Sequence, residues 1–140
     1  MKNYKYLICL CTLLQSCSFK VEKINIGKDQ CQFCKMTIAD ARFGGAILTK
    51  KGKTLKFDDM FCTQSFITNE LIHNKDIKQI FIQNYKGTNE LLDLNLAYII
   101  EGPYINGPMG GKYLGFKSKE EYQPLANELN GKKINENYFK

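Results

Sequence analysis

The residues best suited to chemistry lie in one short segment, residues 31–36, which reads Cys-Gln-Phe-Cys-Lys-Met. Two thiols three positions apart on a turn can approach one metal ion, or they can form a disulfide. Met36 follows Cys34 by two positions, so in extended backbone both side chains project from the same face. A thiolate beside a thioether forms a soft ligand set that favours copper(I) over magnesium, calcium or manganese. The segment therefore predicts a soft-metal site that uses Cys31, Cys34 and Met36.

The competing interpretations of this segment are a disulfide and one half of a zinc site. A closed zinc site needs four nitrogen or sulfur ligands, and beyond the pair the chain body offers only Cys62 and His73. Cys62 falls on a predicted helix beside Phe61, where a thiol is commonly a small buried core residue. The alternative role for Cys62 is that of a third sulfur ligand. His73 is expected to cap carbonyl groups at the end of this helix or to face water.

A second candidate ligand, Met109, sits in the segment 106–111, which reads Asn-Gly-Pro-Met-Gly-Gly. So much glycine and proline predicts an irregular loop. A large apolar side chain on such a loop is either pinned to a core or presented to a ligand. If the two halves of the chain pack side by side, the loop carries Met109 over residues 31–36. That arrangement would complete a sulfur site open on one side, which suits delivery of a metal more than storage.

The elements that must position these residues are predicted to form an α+β fold of two tandem ββαβ units in one compact body. In the first unit the pattern predicts strands at 45–49 and 54–57, a helix from about Asp59, and a strand at 76–83. In the second it predicts strands at 97–100 and 113–116, a helix at 118–129 and a short strand at 132–134. Asp58 or Asp59 is the expected cap of the first helix. Pro124 conflicts with the interior of the second, so a later start is the alternative there.

The N-terminus predicts export and a lipid anchor. Lys2 and Lys5 precede a nine-residue apolar run at 6–14, far shorter than the about 20 residues that cross a bilayer. This is the layout of a signal peptide. Residues 14–17 read Leu-Gln-Ser-Cys, which resembles the bacterial lipobox, in which the cysteine thiol receives a diacylglycerol before cleavage in front of it. Cys17 is therefore the predicted lipidation site; a soluble secreted protein is the alternative.

The predicted organisation is a signal peptide at 1–16, a lipidated flexible tether at 17–30 and a folded domain at 31–140 with repeats at about 31–88 and 89–140. The folded domain is expected in the periplasm, with the outer membrane as the expected site of the anchor. Three cysteines remain in the body of the mature chain, and an odd number in an oxidising compartment argues against a pure disulfide framework.

The charge pattern argues against nucleic-acid binding. The net charge is +6, and it falls to +4 without the signal peptide because Lys2 and Lys5 are the only charged residues there. The remaining positive charges are interspersed with acids and aromatics along the sequence. We interpret them as a solvated surface and expect no nucleic-acid partner.

With these motifs in place, the chain resembles the NosL family, lipoprotein copper chaperones associated with nitrous oxide reductase. Besides the lipobox, the matching motifs are Cys34-Lys35-Met36, Ala46-Ile47, Phe57-Asp58-Asp59-Met60, Ala97-Tyr98-Ile99, Pro108-Met109-Gly110-Gly111, Phe116-Lys117-Ser118 and Asn130-Gly131-Lys132. The resemblance implies the tandem ββαβ fold and copper(I) binding for the copper–sulfur centre of nitrous oxide reductase. It also implies that this enzyme or its maturation factors are the partners, with Cys34, Met36 and Met109 as metal ligands.

The sequence departs from the family pattern at two points. Many relatives carry a histidine and a Gly-Pro-Lys run after the Cys-x-Met segment, whereas residues 40–45 here read Asp-Ala-Arg-Phe-Gly-Gly. Cys31 is an additional cysteine, and one hypothesis is that it takes the place of the imidazole.

Three functions remain to be weighed: a copper(I) chaperone without enzymatic activity, a thiol-disulfide oxidoreductase that uses Cys31 and Cys34, and a structural lipoprotein with a Cys31–Cys34 disulfide. Redox motifs normally open a helix after a strand, where the helix N-terminus lowers the pKa of the first thiol. No such helix is predicted after Cys34, so the sequence favours the chaperone.

Overall fold

Two small sheets, each carrying one helix, build the protein. The computed structural model describes residues 19–134 and 136–139, so the predicted signal peptide and Cys17 lie outside the described residues. The first unit contains β1 (Gly45–Thr49), β2 (Thr54–Phe57), α1 (Met60–Thr68), β3 (Ile77–Gln83) and β4 (Leu91–Asp93). The second contains β5 (Tyr98–Glu101), β6 (Tyr113–Phe116), α2 (Lys119–Glu128) and β7 (Lys132–Ile134). Within the described part of the chain, no helix has the length and apolar character needed to cross a bilayer.

The two sheets share one topology, which confirms the predicted α+β fold with tandem ββαβ units. The strand order is β2-β1-β3-β4 in the first sheet and β6-β5-β7 in the second. In both, the first strand of the unit lies at the centre, between the second and the third, and every pairing is antiparallel. The predicted repeat boundary at residue 89 precedes β4, yet β4 pairs with β3 and so belongs to the first sheet.

The two units meet where β3 ends beside β6. Asn84 forms an isolated parallel bridge with Gly115, and the amide of Tyr85 donates to the Gly115 carbonyl at 2.8 Å. A Cβ atom at Gly115 would lie 2.7 Å from the Ile82 side chain and 2.9 Å from the Gln83 carbonyl. Glycine is therefore required at this crossing, because any side chain would force the units apart.

The helix predictions hold, apart from one alternative. Asp59 caps α1, and Ser118 caps α2 by accepting from the Glu121 amide. The alternative of a later start for the second helix is wrong, since α2 begins at Lys119 and includes Pro124. Proline lacks the N–H of an i→i−4 bond, and here it lies on the exposed face, where water can solvate the carbonyl left without that donor.

The segment before Cys31, predicted as a flexible tether, packs against the domain along β2. Ile24 is fully buried, and the Asn89 side chain donates to its carbonyl at 3.0 Å. The Glu22 amide donates to the Thr54 hydroxyl at 3.1 Å. The folded body therefore starts well before residue 31, because the first sheet needs this segment to cover its β2 side.

Candidate metal centre

A tight turn presents the first two cysteines. The Cys31 amide donates to the Met36 carbonyl at 2.9 Å, and the Lys35 amide donates to the Cys31 carbonyl at 3.0 Å. Lys35 has a φ of +66°, so the backbone between Cys34 and Met36 is not extended. The expectation that these two side chains share one strand face is therefore wrong. The Gln32 amide donates to the Lys56 carbonyl at 2.9 Å, which fixes the turn on β2.

The third cysteine comes from the first turn of α1. The Asp59 side chain accepts from the Cys62 amide at 2.9 Å, which caps the helix and sets its start directly after β2. Cys62 is fully buried in the same apolar core as Cys31. Of the two roles weighed for Cys62 in the sequence, core residue and third sulfur donor, its position fits both.

The sulfur atoms of Cys31, Cys34 and Cys62 all lie within 4.8 Å of one another, and all three thiols are free. Metal–thiolate bonds of about 2.3 Å in a trigonal arrangement would place the sulfurs about 4 Å apart. The cluster therefore has the dimensions that one soft ion needs. Cys31 and Cys62 are buried, whereas Cys34 is partly exposed, so the approach from solvent is on the Cys34 side.

Hydrogen bonds make Cys31 the thiolate of the cluster. A hydrogen bond from the Cys62 thiol, which outweighs the opposing effect of burial, lowers the pKa of Cys31 to about 5. The backbone amides of Phe33, Cys34 and Asp58 also donate to the Cys31 sulfur. Donors that favour the charged form lower a thiol pKa in this way. The site is thus built for a negatively charged sulfur even without a metal ion.

The groups around the Cys31 thiolate have raised pKa values. The hydrogen bond to the Cys31 thiolate, reinforced by burial, raises the pKa of the Cys62 thiol, while burial raises the pKa of Cys34. Burial together with the negative charges of Cys31, Asp59 and Asp40 raises the pKa of Asp58 to about 6. A cation placed among these groups would relieve the repulsion, which is the electrostatic signature expected of a metal site.

The loop that carries Met109 is held on this cluster by Asp59. One oxygen of the buried Asp59 carboxylate caps Cys62, and the other accepts from the Met109 and Gly111 amides, each at 3.0 Å. The half-buried Met109 packs against the core that contains Cys31 and Cys62. A Cβ atom at Gly107 or Gly111 would come within 2.9 Å of the Asp59 carboxylate, so both glycines are needed for this close approach.

The remaining predicted site residues lie farther out. Met36 belongs to the 31–36 turn, with 48% of its surface exposed. His73 is exposed after the end of α1 and is not part of the thiol cluster. Cys17 lies outside the described residues, so its lipidation stays a prediction.

The sequence predicted a helix cap at Asp58 or Asp59 but gave no indication of the second role of Asp59. The available signal was the pair of loop glycines at 107 and 111 around Met109, which left room for a side chain from elsewhere in the chain. Which side chain fills that room depends on how the two units pack, and no local pattern encodes that.

The fold and the cluster together define a small tandem-repeat α+β protein with a thiol site of the type that binds soft metal ions. The chain belongs to the NosL family, whose model matches residues 23–137. In fold it is similar to the crystal structure of the copper chaperone NosL from Shewanella denitrificans, with a TM-score of 0.72 and 18% identity over 85% of this chain and 94% of that chain. Among curated proteins, none matches significantly.

We expect the reduced, metal-free protein to carry one thiolate at neutral pH. Its ultraviolet thiolate absorbance should rise through a pKa of about 5. The Cys31→Ser variant should lose this step, and Cys62→Ala should move it to higher pH by removing the S–H donor. Because this pKa lies below the ordinary thiol value of 9.0, the contribution of Cys31 to the free energy of unfolding is fully present above pH 9.0 and is lost as the pH falls through about 5. An absorbance step only at the ordinary thiol pKa would contradict this assignment.

Asp59→Asn should release the Met109 loop while α1 stays capped. Asparagine is also a good cap, so its oxygen would face Cys62 and its NH₂ group would face the Met109 and Gly111 amides. Loss of hydrogen bonds to a charged acceptor costs about 1.5–3 kcal/mol each. Hydrogen exchange of these two amides should therefore accelerate. Ser118→Ala weakens the cap of α2 and serves as the control; equal exchange in both variants would contradict the assignment.

Proposed function

We propose that this chain binds one copper(I) ion and delivers it to nitrous oxide reductase or its maturation factors, without catalysing a reaction itself. The observation that carries the proposal is the convergence of three thiol sulfurs within 4.8 Å, beside a loop that bears a methionine. Sulfur ligands select copper(I) and other soft ions over the hard divalent cations. The likeness to a copper chaperone in fold and the membership of the NosL family support the choice of copper.

In the proposed ligand set, Cys31, Cys34 and Cys62 hold the ion and Met109 supplies a thioether from the second unit. Amide donors on Cys31 and on Cys34 spread the negative charge that the ion and its thiolates carry. Met36 is then the outermost sulfur, exposed beside the turn. Of the four predicted ligands, this set retains Cys31, Cys34 and Met109, adds Cys62, and leaves Met36 at the solvent side of the site.

Delivery would proceed by ligand exchange at the exposed side. Three thiolates with the weaker Met109 thioether leave room for a ligand of the recipient, which first meets the ion beside Cys34. Because Cys31 and Cys62 are buried, they would be the last ligands to release the ion. The exchange needs no large motion of either sheet, since its first step takes place at the surface turn.

The proposed location is the periplasmic side of a bacterial membrane, with the chain anchored through lipidated Cys17. The outer membrane is the location we infer for the anchor. An anchor of this kind would restrict the search for a recipient to the membrane surface and raise the effective concentration of nearby partners.

The oxidoreductase alternative is less well supported. A redox-active thiolate needs access to its substrate, but Cys31, which has the lowered pKa, is fully buried. Cys34, the accessible thiol, lies on a turn and has a raised pKa. The structural-disulfide alternative is likewise weaker, since Cys31 and Cys34 are free thiols held in a cluster with a third.

Anaerobic titration with copper(I) against a competing chelator tests the binding step. The wild-type chain should bind one ion, and the Cys31→Ser, Cys34→Ser and Cys62→Ser variants should each lose more affinity than the about 10–100-fold typical of groups that only support a ligand. Met109→Leu keeps the volume and removes only the thioether, so a weaker loss is expected.

His73→Ala is the matched control and should bind copper(I) like the wild type, because His73 is exposed outside the cluster. Unchanged copper(I) affinity in the Cys62→Ser variant would show that Cys62 is not a ligand. The ligand set would then be the one predicted from the sequence: Cys31, Cys34, Met36 and Met109. Failure of the wild-type chain to bind copper(I) would refute the proposal, and insulin reduction by the metal-free chain would favour the oxidoreductase.

Transfer to a recipient tests the delivery step. The copper-loaded chain is mixed with metal-free nitrous oxide reductase and its maturation factors, and copper is measured in each protein after separation. Copper should reach the reductase faster than from a small-molecule copper(I) complex that buffers the same free copper concentration. Equal rates from both sources would show that the chain has no specific role in delivery.

A further inference from the structure

A cluster of lysines lies at the end of the first sheet, away from the metal centre. It consists of Lys50, Lys51 and Lys53 in the β1–β2 turn together with Lys20 and Lys78, and we call it the lysine end. All five residues are exposed. Within the described residues, none of them forms an ion pair with a carboxylate. Three acids lie near this end: the Asp76 carbonyl accepts from the Lys50 amide at 2.8 Å, the Glu22 amide donates to the hydroxyl of Thr54 at 3.1 Å, and Glu90 lines a cavity together with Lys20.

The start of the described chain lies directly on this end. The Phe19 ring covers Gly52, where any Cβ atom would overlap the ring, and the Lys78 ammonium sits 5.7 Å from the ring centroid. Phe19 is also 43% exposed. Cys17 precedes Phe19 by two residues, and two residues span at most about 7 Å. A lipid on Cys17 would therefore enter the membrane next to the lysine end.

The metal centre lies at the other end of the same strands. β2 leaves the lysine turn at Thr54 and ends at Phe57, where Asp58 and Asp59 lead into the helix that carries Cys62. The turn of Cys31 and Cys34 is bonded to Lys56, near that far end. Four residues of strand separate the two ends by about 13 Å.

We infer that the lysine end docks on anionic phospholipid headgroups and so turns the metal centre away from the membrane. The inference rests on the proposed anchor at Cys17. The diacylglycerol on Cys17 would hold the chain at the membrane, and a basic patch beside it adds electrostatic attraction to anionic lipids, which sets the orientation. Each lysine near an anionic surface contributes on the order of 1 kcal/mol, so the three turn lysines would favour the docked orientation about 100-fold. In this orientation a recipient reaches Cys34 from the aqueous side.

The test uses the mature lipidated chain, inserted into vesicles of phosphatidylglycerol or of phosphatidylcholine. Amine-reactive labelling of Lys50, Lys51 and Lys53 should fall at least about tenfold on phosphatidylglycerol relative to phosphatidylcholine. The protection should disappear at high salt. Alkylation of Cys34 should proceed equally on both vesicles, because the metal centre faces away from either surface.

Two charge-reversed variants distinguish binding by the lysine end from a general effect of the net charge of the chain. The triple variant Lys50→Glu, Lys51→Glu, Lys53→Glu should lose the protection of Lys20 and Lys78. The control triple variant Lys28→Glu, Lys86→Glu, Lys119→Glu has the same net charge but alters exposed lysines elsewhere, and its turn lysines should stay protected. Equal labelling of the wild type on both vesicles, or equal loss of protection in both variants, would overturn the inference.

The anchor itself is checked separately by the mass of the chain isolated from membranes. A mass without the lipid would refute the proposed lipidation. In that case, sedimentation of the full chain with phosphatidylglycerol vesicles still decides whether the lysine end binds an anionic surface. Copper(I) binding is measured in a separate experiment without vesicles. A chain that binds no copper(I) would refute the proposed function, whereas a chain that does not bind anionic vesicles would refute only the membrane inference.

Discussion

The hydrogen bonds that end on the Cys31 sulfur are the interaction on which the rest of the structure depends. A buried thiolate is costly unless donors surround it, and here the Cys62 thiol joins three backbone amides. Two of those amides require the tight 31–36 turn, and the third, that of Asp58, requires β2 to end at Phe57. The Cys62 thiol can reach the Cys31 sulfur only because α1 begins directly after β2. One anionic sulfur therefore fixes the relative positions of the turn, the strand and the helix.

The two units have the same topology but contribute different parts of the site. Asp59 and Ser118 occupy the same place at the start of their helices, and their caps bond the amides of Cys62 and Glu121. Only the first unit has cysteines at its helix and preceding turn. The second contributes through the loop between β5 and β6, which is longer than its counterpart between β1 and β2 and closes on Asp59. The site therefore needs both units, although its thiols come from one.

Much of the fold could be predicted because its signals are local. The turn at 50–53 between two short strand-like runs marked β1 and β2, alternation marked β3, the aspartates marked the start of α1, and glycine with proline marked the Met109 loop. The role of Cys62 was harder to predict, since a thiol on a helix can face a core or a ligand and the choice depends on how the helix docks. The packing of Ile24 was missed because the segment 18–30 has no periodic pattern, and its partner Asn89 is distant in sequence. The assumed strand geometry around Met36 failed because Lys35 adopts a left-handed conformation that lysine seldom takes.

The closeness of the three sulfur atoms also carries a hazard. Any two of them can join by giving up two electrons and two protons to an oxidant, and the third is then left without the partners it needs to hold an ion. A soft metal ion coordinated by the cluster would occupy the sulfur lone pairs that attack or are attacked in such a reaction. A bound ion would therefore protect the cluster from oxidation. Chains that bind an ion early would keep a working site, whereas empty chains would depend on a reductant.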